Sequence, residues 1–332
     1  MTYWIGGEVL LISKTPFRIS LFGGGTDYPA WFINHPGRVL GFAIDKYCYI
    51  LIKDNHGYFE HKSKISYSQL EFVHDNLNIG HPAIRACLVY CDLLDANLEM
   101  YHVGDLPAKK GLGSSSAFTV GLLNVLYAYK DTKIDKYKLA TDAIYVEQQL
   151  LNESVGCQDQ FHCTYGGVHE FHFTSECTRV VPVNVSNKFI TDNFMLFDTG
   201  SYRVASAVAR EQISNIDKHE KELAQMADIV TQGVKAIAKK DIKAIGALLD
   251  ISWQLKRELS GKITNPQIDM IYDTAIKAGA LGGKLCGAGG GGYLLFAVLP
   301  QNQTAVQKAL RGLPIIKFGI DRHGSRVIFR HD

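Results

Sequence analysis

The chain contains the sequence Leu106-Pro-Ala-Lys-Lys-Gly-Leu-Gly-Ser-Ser-Ser116, a loop of small residues between a predicted strand and a predicted helix. The strand is Leu98–Val103, and Ala117–Tyr129 follows the loop with the apolar spacing of an amphipathic helix. Free N–H groups at a helix start attract anions, and small residues let a polyphosphate reach them. The serines could instead simply cap the helix, but capping needs one serine and leaves the glycines unexplained. The pattern therefore favours a phosphate-binding loop.

Another glycine-rich segment, the first glycine segment in chain order, lies near the start of the chain and reads Arg18-Ile-Ser-Leu-Phe-Gly-Gly-Gly-Thr-Asp-Tyr28. A predicted strand carries Arg18 into three successive glycines and then Asp27. Three glycines remove side-chain bulk where something must approach the backbone closely. A flexible turn after an edge strand explains this segment equally well when it is taken alone.

A third glycine-rich segment reads Gly282-Gly-Lys-Leu-Cys-Gly-Ala-Gly-Gly-Gly-Gly292 and contains a formal G-x-G-x-x-G pattern. A dinucleotide-binding loop is excluded, because the predicted strand Tyr293–Leu299 follows the glycines where that motif opens a helix. A Walker A loop is excluded because Leu285 follows Lys284. The segment is therefore expected to pack against another part of the chain or against a ligand.

Two carboxylates occupy unusual positions. The predicted helix Tyr137–Leu151 has an apolar stripe with Glu147 in its middle, and a buried carboxylate is costly unless a cation or metal pairs with it. Asp159 is predicted in a small-residue turn that leads into a strand. Glu147 could instead pair with a lysine at the edge of the core, and Asp159 could simply cap a turn. Together with Arg18 and the phosphate loop, however, these carboxylates form a coherent set for phosphoryl transfer.

Composition limits the classes of function. The 332 residues are 46% hydrophobic and 20% charged with a formal net charge of +2, which is ordinary for a globular protein. No block of Lys and Arg suggests a nucleic-acid partner, and no apolar run reaches membrane-spanning length. The seven cysteines contain no C-x-x-C pair, so a disulfide framework or structural zinc site is not expected and a reducing cytoplasm is the simplest location.

The pattern of elements changes near residues 185–190, where Pro182 and the polar run Asn184–Asn187 interrupt it. We therefore expect domains at 1–187 and 188–332. Before the boundary, Val39–Ile52 is predicted as a pair of strands around Asp45. After it, the predicted elements are a strand Phe194–Phe197, two helices within Val204–Leu259 broken near Lys240–Asp241, a helix Gln267–Ala278, a strand Tyr293–Leu299, a helix Thr304–Leu310 and a strand Ile315–Ile320.

The three glycine-rich segments, in this order, resemble the three motifs of the GHMP kinases (galacto-, homoserine, mevalonate and phosphomevalonate kinases). Residues 107–117 resemble the family's P-x-x-x-G-L-G-S-S-A loop, and residues 284–292 resemble its third motif. Residues 18–28 resemble the galactokinase segment R-V-N-L-I-G-E-H-T-D-Y. Glu147 and Asp159 fall at the spacing of that family's magnesium-binding glutamate and catalytic aspartate. The resemblance spans nearly the whole chain.

The resemblance implies an α+β fold of two domains, an N-terminal domain like ribosomal protein S5 domain 2 and a ferredoxin-like C-terminal domain, with ATP and substrate in the cleft between them. It makes Asp159 the catalytic carboxylate with Arg18 beside it. Mg²⁺ would be held by Ser115 and Glu147. The residues implied at the ATP phosphates are Lys110, Gly111, Leu112, Gly113, Ser114, Ser115 and Ser116.

For the substrate, the resemblance implies that Asp27 binds sugar hydroxyls. Gly24 and Gly25 stand where galactokinases place a Glu and a His, which argues against galactose and leaves room for a larger sugar. The segments 13–20, 80–85 and 279–285 are most similar to the D-glycero-D-manno-heptose 7-phosphate kinases. The remaining substrate candidates are Thr26, Arg85 and Arg203, the two arginines for the substrate's own phosphate, with Gly287, Gly289 and Gly290 supporting the site.

The expected activity is thus ATP-dependent phosphorylation of the anomeric hydroxyl of a heptose 7-phosphate, which supplies nucleotide-activated heptose for surface polysaccharide. A fucose-type sugar 1-kinase shares much of the pattern. The pattern also leaves open a mevalonate-type kinase and a non-catalytic sugar or ATP sensor with the same fold. The expected partner is a small-molecule sugar phosphate, without nucleic acid or membrane, and the sequence leaves a homodimer open.

Overall fold

The structure is a computed structural model that describes residues 9–55, 57, 59–108, 110–201 and 205–331, without the side chains of residues 205–207. Its strands are β1 (Leu10–Phe22), β2 (Gly37–Asp54), β3 (Ser63–Ser66), β4 (Leu70–Val73), β5 (Leu98–Gly104), β6 (Val168–Phe173), β7 (Thr178–Pro182), β8 (Phe194–Asp198), β9 (Gly282–Leu285), β10 (Tyr293–Ala297), β11 (Ile315–Ile316) and β12 (Arg326–His331).

The helices include two short 3₁₀ turns, Asn76–Asn78 and Ile216–Lys218, and a π-helical turn, Val146–Leu150, that continues α4. The α-helices are α1 (Pro29–Phe32), α2 (Pro82–Tyr90), α3 (Ser114–Tyr129), α4 (Lys136–Tyr145), α5 (Gln158–Tyr165), α6 (Asn187–Asn193), α7 (Ala205–Ser214), α8 (Glu220–Ala238), α9 (Ile242–Glu258), α10 (Pro266–Lys277) and α11 (Pro300–Ala309).

Within the described residues, the first sheet has eight strands in the order β12-β1-β2-β5-β3-β4, with β6 paired to β2 and β7 to β6. β1 is buried along almost its whole length, because α3 and α5 pack against it as well as α8 and α9. Two of its polar side chains find hydrogen-bond partners inside the protein. Ser13 donates to the carbonyl of Gly121 at 2.9 Å, and Thr15 shares a 2.7 Å hydrogen bond with Ser325. This strand carries Arg18 into the interior.

The second sheet is antiparallel with the order β11-β8-β10-β9. Helices α8 and α9 lie against each other, and the contacts of α9 with β9 and of α8 with β2 join the two sheets. The result is the α+β fold that the family resemblance implies, with two sheets in the residues that the structure describes. No helix in the described part of the chain is long and apolar enough to cross a membrane.

Several predicted elements differ from the structure. Val39–Ile52 is one long strand, β2, which bulges opposite the step from Pro16 to Phe17 instead of turning into a pair at Asp45. Asp159 lies in the first turn of helix α5, so its predicted turn leading into a strand was wrong. The predicted helix break near Lys240–Asp241 is confirmed, and a further break separates α7 from α8.

The end of the chain returns to the first sheet. β12 pairs with β1 in an antiparallel register that includes Leu10 with His331 and Lys14 with Arg326. Ile320 also forms a bridge with Ile44. The predicted N-terminal domain, residues 1–187, did not include this last strand. A strand partner that is distant in sequence leaves no local signal.

Candidate active site

A cavity of about 330 Å³ lies where the three glycine-rich segments meet. It contains side chains from both halves of the chain. Its principal lining residues are Arg18, Ser20, Gly24, Gly25, Asp27, Gly111, Gly113, Ser114, Ser115, Ser116, Gln158, Asp159, Gln212, Lys256, Lys284 and Gly287. Folding therefore brings residues from distant parts of the chain into one polar pocket.

The loop at 111–113 leads directly into α3, which begins at Ser114 and therefore includes all three serines. The residue that caps this helix is Gly113, in the left-handed conformation with φ of 74°, so the interpretation of a serine cap is wrong. The helix start is therefore left with backbone N–H groups at the cavity, where the helix dipole favours an anion.

The third glycine segment packs directly against this loop. This agrees with the expectation that the segment packs against another part of the chain. A Cβ on Gly111 would lie 2.3 Å from the carbonyl oxygen of Cys286, and one on Gly287 would lie 2.4 Å from the Cα of Gly111. Both glycines also have positive φ, 87° and 76°. Side chains are excluded on steric and conformational grounds, so the close contact of the two backbones depends on glycine at both positions.

Arg18 and Asp159 form a bidentate ion pair at the cavity. Nε donates to Oδ1 at 2.7 Å and Nη2 donates to Oδ2 at 2.6 Å. The remaining arm of the guanidinium, Nη1, donates to the carbonyl of Gly111 at 2.6 Å, and the Arg18 backbone N–H donates to that of Leu112 at 3.0 Å. Arg18 is buried while the Asp159 side chain remains 24% exposed. The pair therefore holds a carboxylate at the cavity wall and fixes it relative to the phosphate loop.

Asp27 connects the first glycine segment to α5. Its Oδ1 accepts from the backbone of Gly25 at 3.0 Å and from the Gln158 amide at 2.9 Å, and its Oδ2 accepts from the Gln158 backbone at 3.2 Å. Burial raises the pKa of Asp27, and the backbone hydrogen bond from Gly25 opposes that rise. Because Gln158 is the first residue of α5, Asp27 also positions the helix that carries Asp159.

Glu147 is fully buried in the π-helical turn after α4, as its place in the apolar stripe predicts. Its Oε2 accepts from Ser116 at 2.9 Å and also from Gln160, while Oε1 has no hydrogen-bond partner of normal geometry. Burial raises its pKa to about 7, against the opposing effect of Thr119, Gln160 and Ser116. No ion pair between Glu147 and a lysine is present in the described residues, so that interpretation is not supported.

Lys256 on α9 and Lys284 on β9 bring positive charge to the cavity from the second half of the chain. Lys256 donates to the carbonyl of Gly287 and, at 3.4 Å, to that of Leu285. Lys284 donates to the carbonyl of Leu21 at 2.9 Å. Burial and, second, the other ammonium lower the pKa of Lys256 to about 7, and burial lowers the pKa of Lys284 to about 8.

These features occur together in a known family. Residues 81–167 match the family described as GHMP kinases N terminal domain, and residues 234–315 match GHMP kinases C terminal, together just over half of the chain. The chain belongs to the GHMP kinase family. It is therefore a small-molecule kinase that uses ATP.

Similar proteins extend this match beyond the two family domains. A D-glycero-alpha-D-manno-heptose 7-phosphate kinase from Campylobacter jejuni is 28% identical over 320 residues, which span 90% of this chain and 92% of that protein. A galactokinase from Pyrococcus furiosus is 25% identical over 92% of this chain and 94% of its own length. The crystal structure of a D-glycero-D-manno-heptose 1-phosphate kinase from Bacteriodes thetaiotaomicron has the same fold, with a TM-score of 0.80 at 20% identity over 97% of this chain and 100% of that one.

Some of the predicted site residues of this GHMP kinase lie at the cavity in different roles or outside it. The side chain of Lys110 pairs with Asp198 at 2.6 Å and so links the phosphate loop to β8. Thr26 is fully buried, and its hydroxyl donates to the carbonyls of Gly23 and Arg38. Neither side chain is among the residues that line the cavity, because each is occupied by a contact within the protein.

The remaining predicted substrate residues also differ in whether they support the cavity or lie outside it. Gly289 packs on Ile263, and the N–H of Gly290 donates to the Ile263 carbonyl at 2.8 Å, so both support the third segment from behind. Arg85 on α2 donates to the carbonyl of Ile79 and does not line the cavity, so the structure does not support its assignment to a substrate phosphate. Arg203 lies outside the described residues.

Two functional candidates, Gln158 and Lys256, were missed in the sequence. Gln158 lies next to the predicted Asp159, and only the structure shows that it contacts Asp27. Ser116 was predicted for the nucleotide phosphates, but its contact with Glu147 was not. Lys256 lies on a helix that the sequence showed only as long and charged. Its signal was a lysine on the buried stripe of α9, the same kind of anomaly that drew attention to Glu147.

Proposed function

We propose that this GHMP kinase transfers the γ-phosphoryl group of ATP to the anomeric C1 hydroxyl of a sugar phosphate, with D-glycero-D-manno-heptose 7-phosphate converted to the 1,7-bisphosphate. The observation that carries the proposal is the Arg18–Asp159 pair, which presents a carboxylate to the cavity beside the loop at the start of α3. The product would supply nucleotide-activated heptose for surface polysaccharide.

In this mechanism the bond between the C1 oxygen and the γ-phosphorus forms as the bond from that phosphorus to the ADP oxygen breaks. The hydroxyl proton passes to the Asp159 carboxylate. Arg18 orients that carboxylate through both of its oxygens, and the N–H groups at the start of α3 hold the nucleotide phosphates. Since such a transition state is stabilised mainly by positioning and electrostatics, the loop contacts contribute as much as proton removal.

Ser115 and Ser116 line the cavity, and together with the buried Glu147 that Ser116 contacts they fit a magnesium ion that arrives with ATP. Mg²⁺ is typically bound by one or two carboxylates together with substrate phosphates, and Glu147 has an oxygen without a hydrogen-bond partner. In the described residues no group of three or more His, Cys, Asp or Glu side chains could hold a metal alone. Glu147 with a serine of the loop would hold the ion. The structure bonds Ser116 to Glu147, whereas the predicted Ser115 is exposed at the cavity. When bound, the ion would neutralise phosphate charge.

The choice of a heptose rests on the first glycine segment. Gly24 lines the cavity, and a Cβ placed on it would meet no atom closer than 3.4 Å, from Gln158 and Ser20. A Glu or His here would fill that space, so glycine leaves room for a larger sugar. The similarity to the heptose 7-phosphate kinase from Campylobacter jejuni supports the same choice.

The test is ADP release from ATP across a panel of D-glycero-D-manno-heptose 7-phosphate, the same heptose without phosphate, galactose, L-fucose and mevalonate. We expect the heptose 7-phosphate to give the highest kcat/KM. Asp159→Asn should lower kcat about 100-fold or more, because it removes the proton acceptor while it keeps the shape. Asp228→Asn, at an exposed position on α8, is the matched control and should leave kcat unchanged.

Three results would contradict the proposal. Preferred turnover of L-fucose or mevalonate would assign a different substrate. Tight binding of ATP and a sugar with no turnover would indicate a sensor. Full activity of Asp159→Asn would remove Asp159 from the mechanism.

A further inference from the structure

The positive charges at the cavity are not balanced equally. Asp159 matches Arg18 through two short contacts. The ammonium groups of Lys256 and Lys284, in contrast, contact only backbone carbonyls, and no carboxylate in the described ranges lies within ion-pair distance of either. Both side chains are almost completely buried, at 7% and 3% exposure. Buried charges are normally paired. Since the described residues supply no carboxylate for these two lysines, a bound ligand must supply the negative charge.

The missing partner must be an anion with several oxygen acceptors. An ammonium has three donor hydrogens, and Lys284 uses one of them, on Leu21. Two such groups at one cavity match the charge and acceptor oxygens of a phosphate monoester dianion. Their mutual repulsion is among the causes that lower the pKa of Lys256, and a bound dianion would reverse it.

The position of the lysines distinguishes the two phosphates that enter this cavity. The nucleotide phosphates have the N–H groups at the start of α3. Lys256 and Lys284 come from the opposite half of the chain, and both interact electrostatically with Arg18 and Asp27, residues of the first glycine segment. That segment is the proposed site of the acceptor sugar.

We propose that Lys256 and Lys284 form the subsite that binds the phosphate group already present on the acceptor sugar. This inference rests on the proposed function and deepens it, because it explains how the enzyme recognises a phosphorylated acceptor. It also replaces Arg85, which does not line the cavity. The lysines are specificity-determining residues, whereas the nucleotide phosphates bind at the start of α3.

The experiment compares Lys256→Met and Lys284→Met with wild type and with Lys243→Met, an exposed position on the same helix as Lys256. KM and kcat are measured for D-glycero-D-manno-heptose 7-phosphate, for the same heptose without phosphate, and for ATP. Loss of one charged contact should raise KM for the sugar phosphate about tenfold to a hundredfold. KM for ATP and kcat/KM for the unphosphorylated heptose should stay within about twofold, as all values should for the control.

Each other outcome overturns the assignment. A parallel rise in KM for ATP would show that the lysines bind nucleotide phosphate. Equal losses for both forms of the heptose would show a role limited to holding the carbonyls of Gly287 and Leu21. An unchanged KM for the sugar phosphate would show that the phosphate binds elsewhere.

A measurement on the wild type tests the subsite even if the variants fail to fold. Reductive methylation mapped by mass spectrometry should show both lysines protected by the sugar phosphate, and protected neither by the unphosphorylated heptose nor by ADP. Absence of that protection would overturn the subsite. If wild type phosphorylates no sugar phosphate, the proposed function fails, and protection by inorganic phosphate then tests the anion site by itself: protection supports an anion site there, and its absence overturns it.

Discussion

At the scale of single residues, Lys256 occupies a position on α9 that a helix normally gives to a core side chain. The buried stripe includes Leu249, Ser252 and Trp253, and Lys256 continues it at the helical spacing. Glu147 lies in the apolar stripe of an earlier helix in the same way. The sequence could therefore show that a charged residue is buried, but it could not show which loop or ligand faces it.

The unbalanced charge of Lys256 predicts a pH-dependent cost to stability. Its pKa is lowered from 10.5 to about 7, first by burial and then by Lys284, with Cys286, Arg18 and Asp27 also facing it. Between these values the unfolded state binds more protons than the folded state, so stability of the unliganded protein rises with pH across that window. The cost is complete below about pH 7 and is on the order of a few kcal/mol.

Lys256→Met removes this cost. We expect its Tm relative to wild type to be highest at about pH 6 and the difference to shrink towards about pH 9, because the wild-type lysine loses its charge more easily when folded. Thermal unfolding of both proteins without ligand measures the difference, with Lys243→Met as the exposed control. A difference that is constant with pH would show that Lys256 carries no buried charge.

At the scale of elements, α5 shows why Asp159 was placed in the wrong local structure. Its sequence from Gln158 to Tyr165 is short and mixes polar and apolar residues, so no helical period stands out. The N–H group at the helix start donates to Asp27, which is 131 residues away. A cap supplied from that distance cannot be seen in a local pattern, although the proximity of Asp159 to Arg18 was predicted and is confirmed.

The contact between the phosphate loop and the third glycine segment predicts a strong effect of one methyl group. In Gly287→Ala the new Cβ would meet the Cα of Gly111 at 2.4 Å with φ at 76°, so the loop must move. We expect KM for ATP to rise about tenfold, because displaced N–H groups lose their alignment with the phosphates. Gly312→Ala is the control, since Gly312 has φ of 99° but no atom within 4 Å of a Cβ.

The readout is the ratio of the two variants in KM for ATP, with Tm measured for both. Comparable KM values in Gly287→Ala and Gly312→Ala would mean that the loop does not depend on this contact. A fall in Tm of similar size in both would identify the part of the effect that comes from backbone strain alone.

At the scale of the whole molecule, the first sheet is completed by the last strand of the chain. β12 pairs with β1 and gives that strand a hydrogen-bonded partner on its second edge. Ser325, just before β12, bonds both to Thr15 on β1 and to Asn124 on α3. The glycine segments and their order could be recognised in the sequence, whereas this closure could not, because β12 is mostly exposed and has no clear apolar alternation.

Removal of β12 tests how far the site depends on that closure. A chain that ends at Ser325 loses the pairing between β12 and β1. Since each backbone hydrogen bond contributes roughly 1 kcal/mol, we expect a loss of stability of several kcal/mol. Because β1 carries Arg18 at its buried end, the same truncation should raise hydrogen exchange along β1 and lower kcat. The control replaces the exposed Ile328 and Phe329 with threonine in the full chain, which keeps the strand and its ladder and should cost far less. If urea unfolding gave the same free energy for the truncated chain and for the threonine variant, the pairing with β12 would contribute nothing, and β1 would be held by β2 and the helices alone.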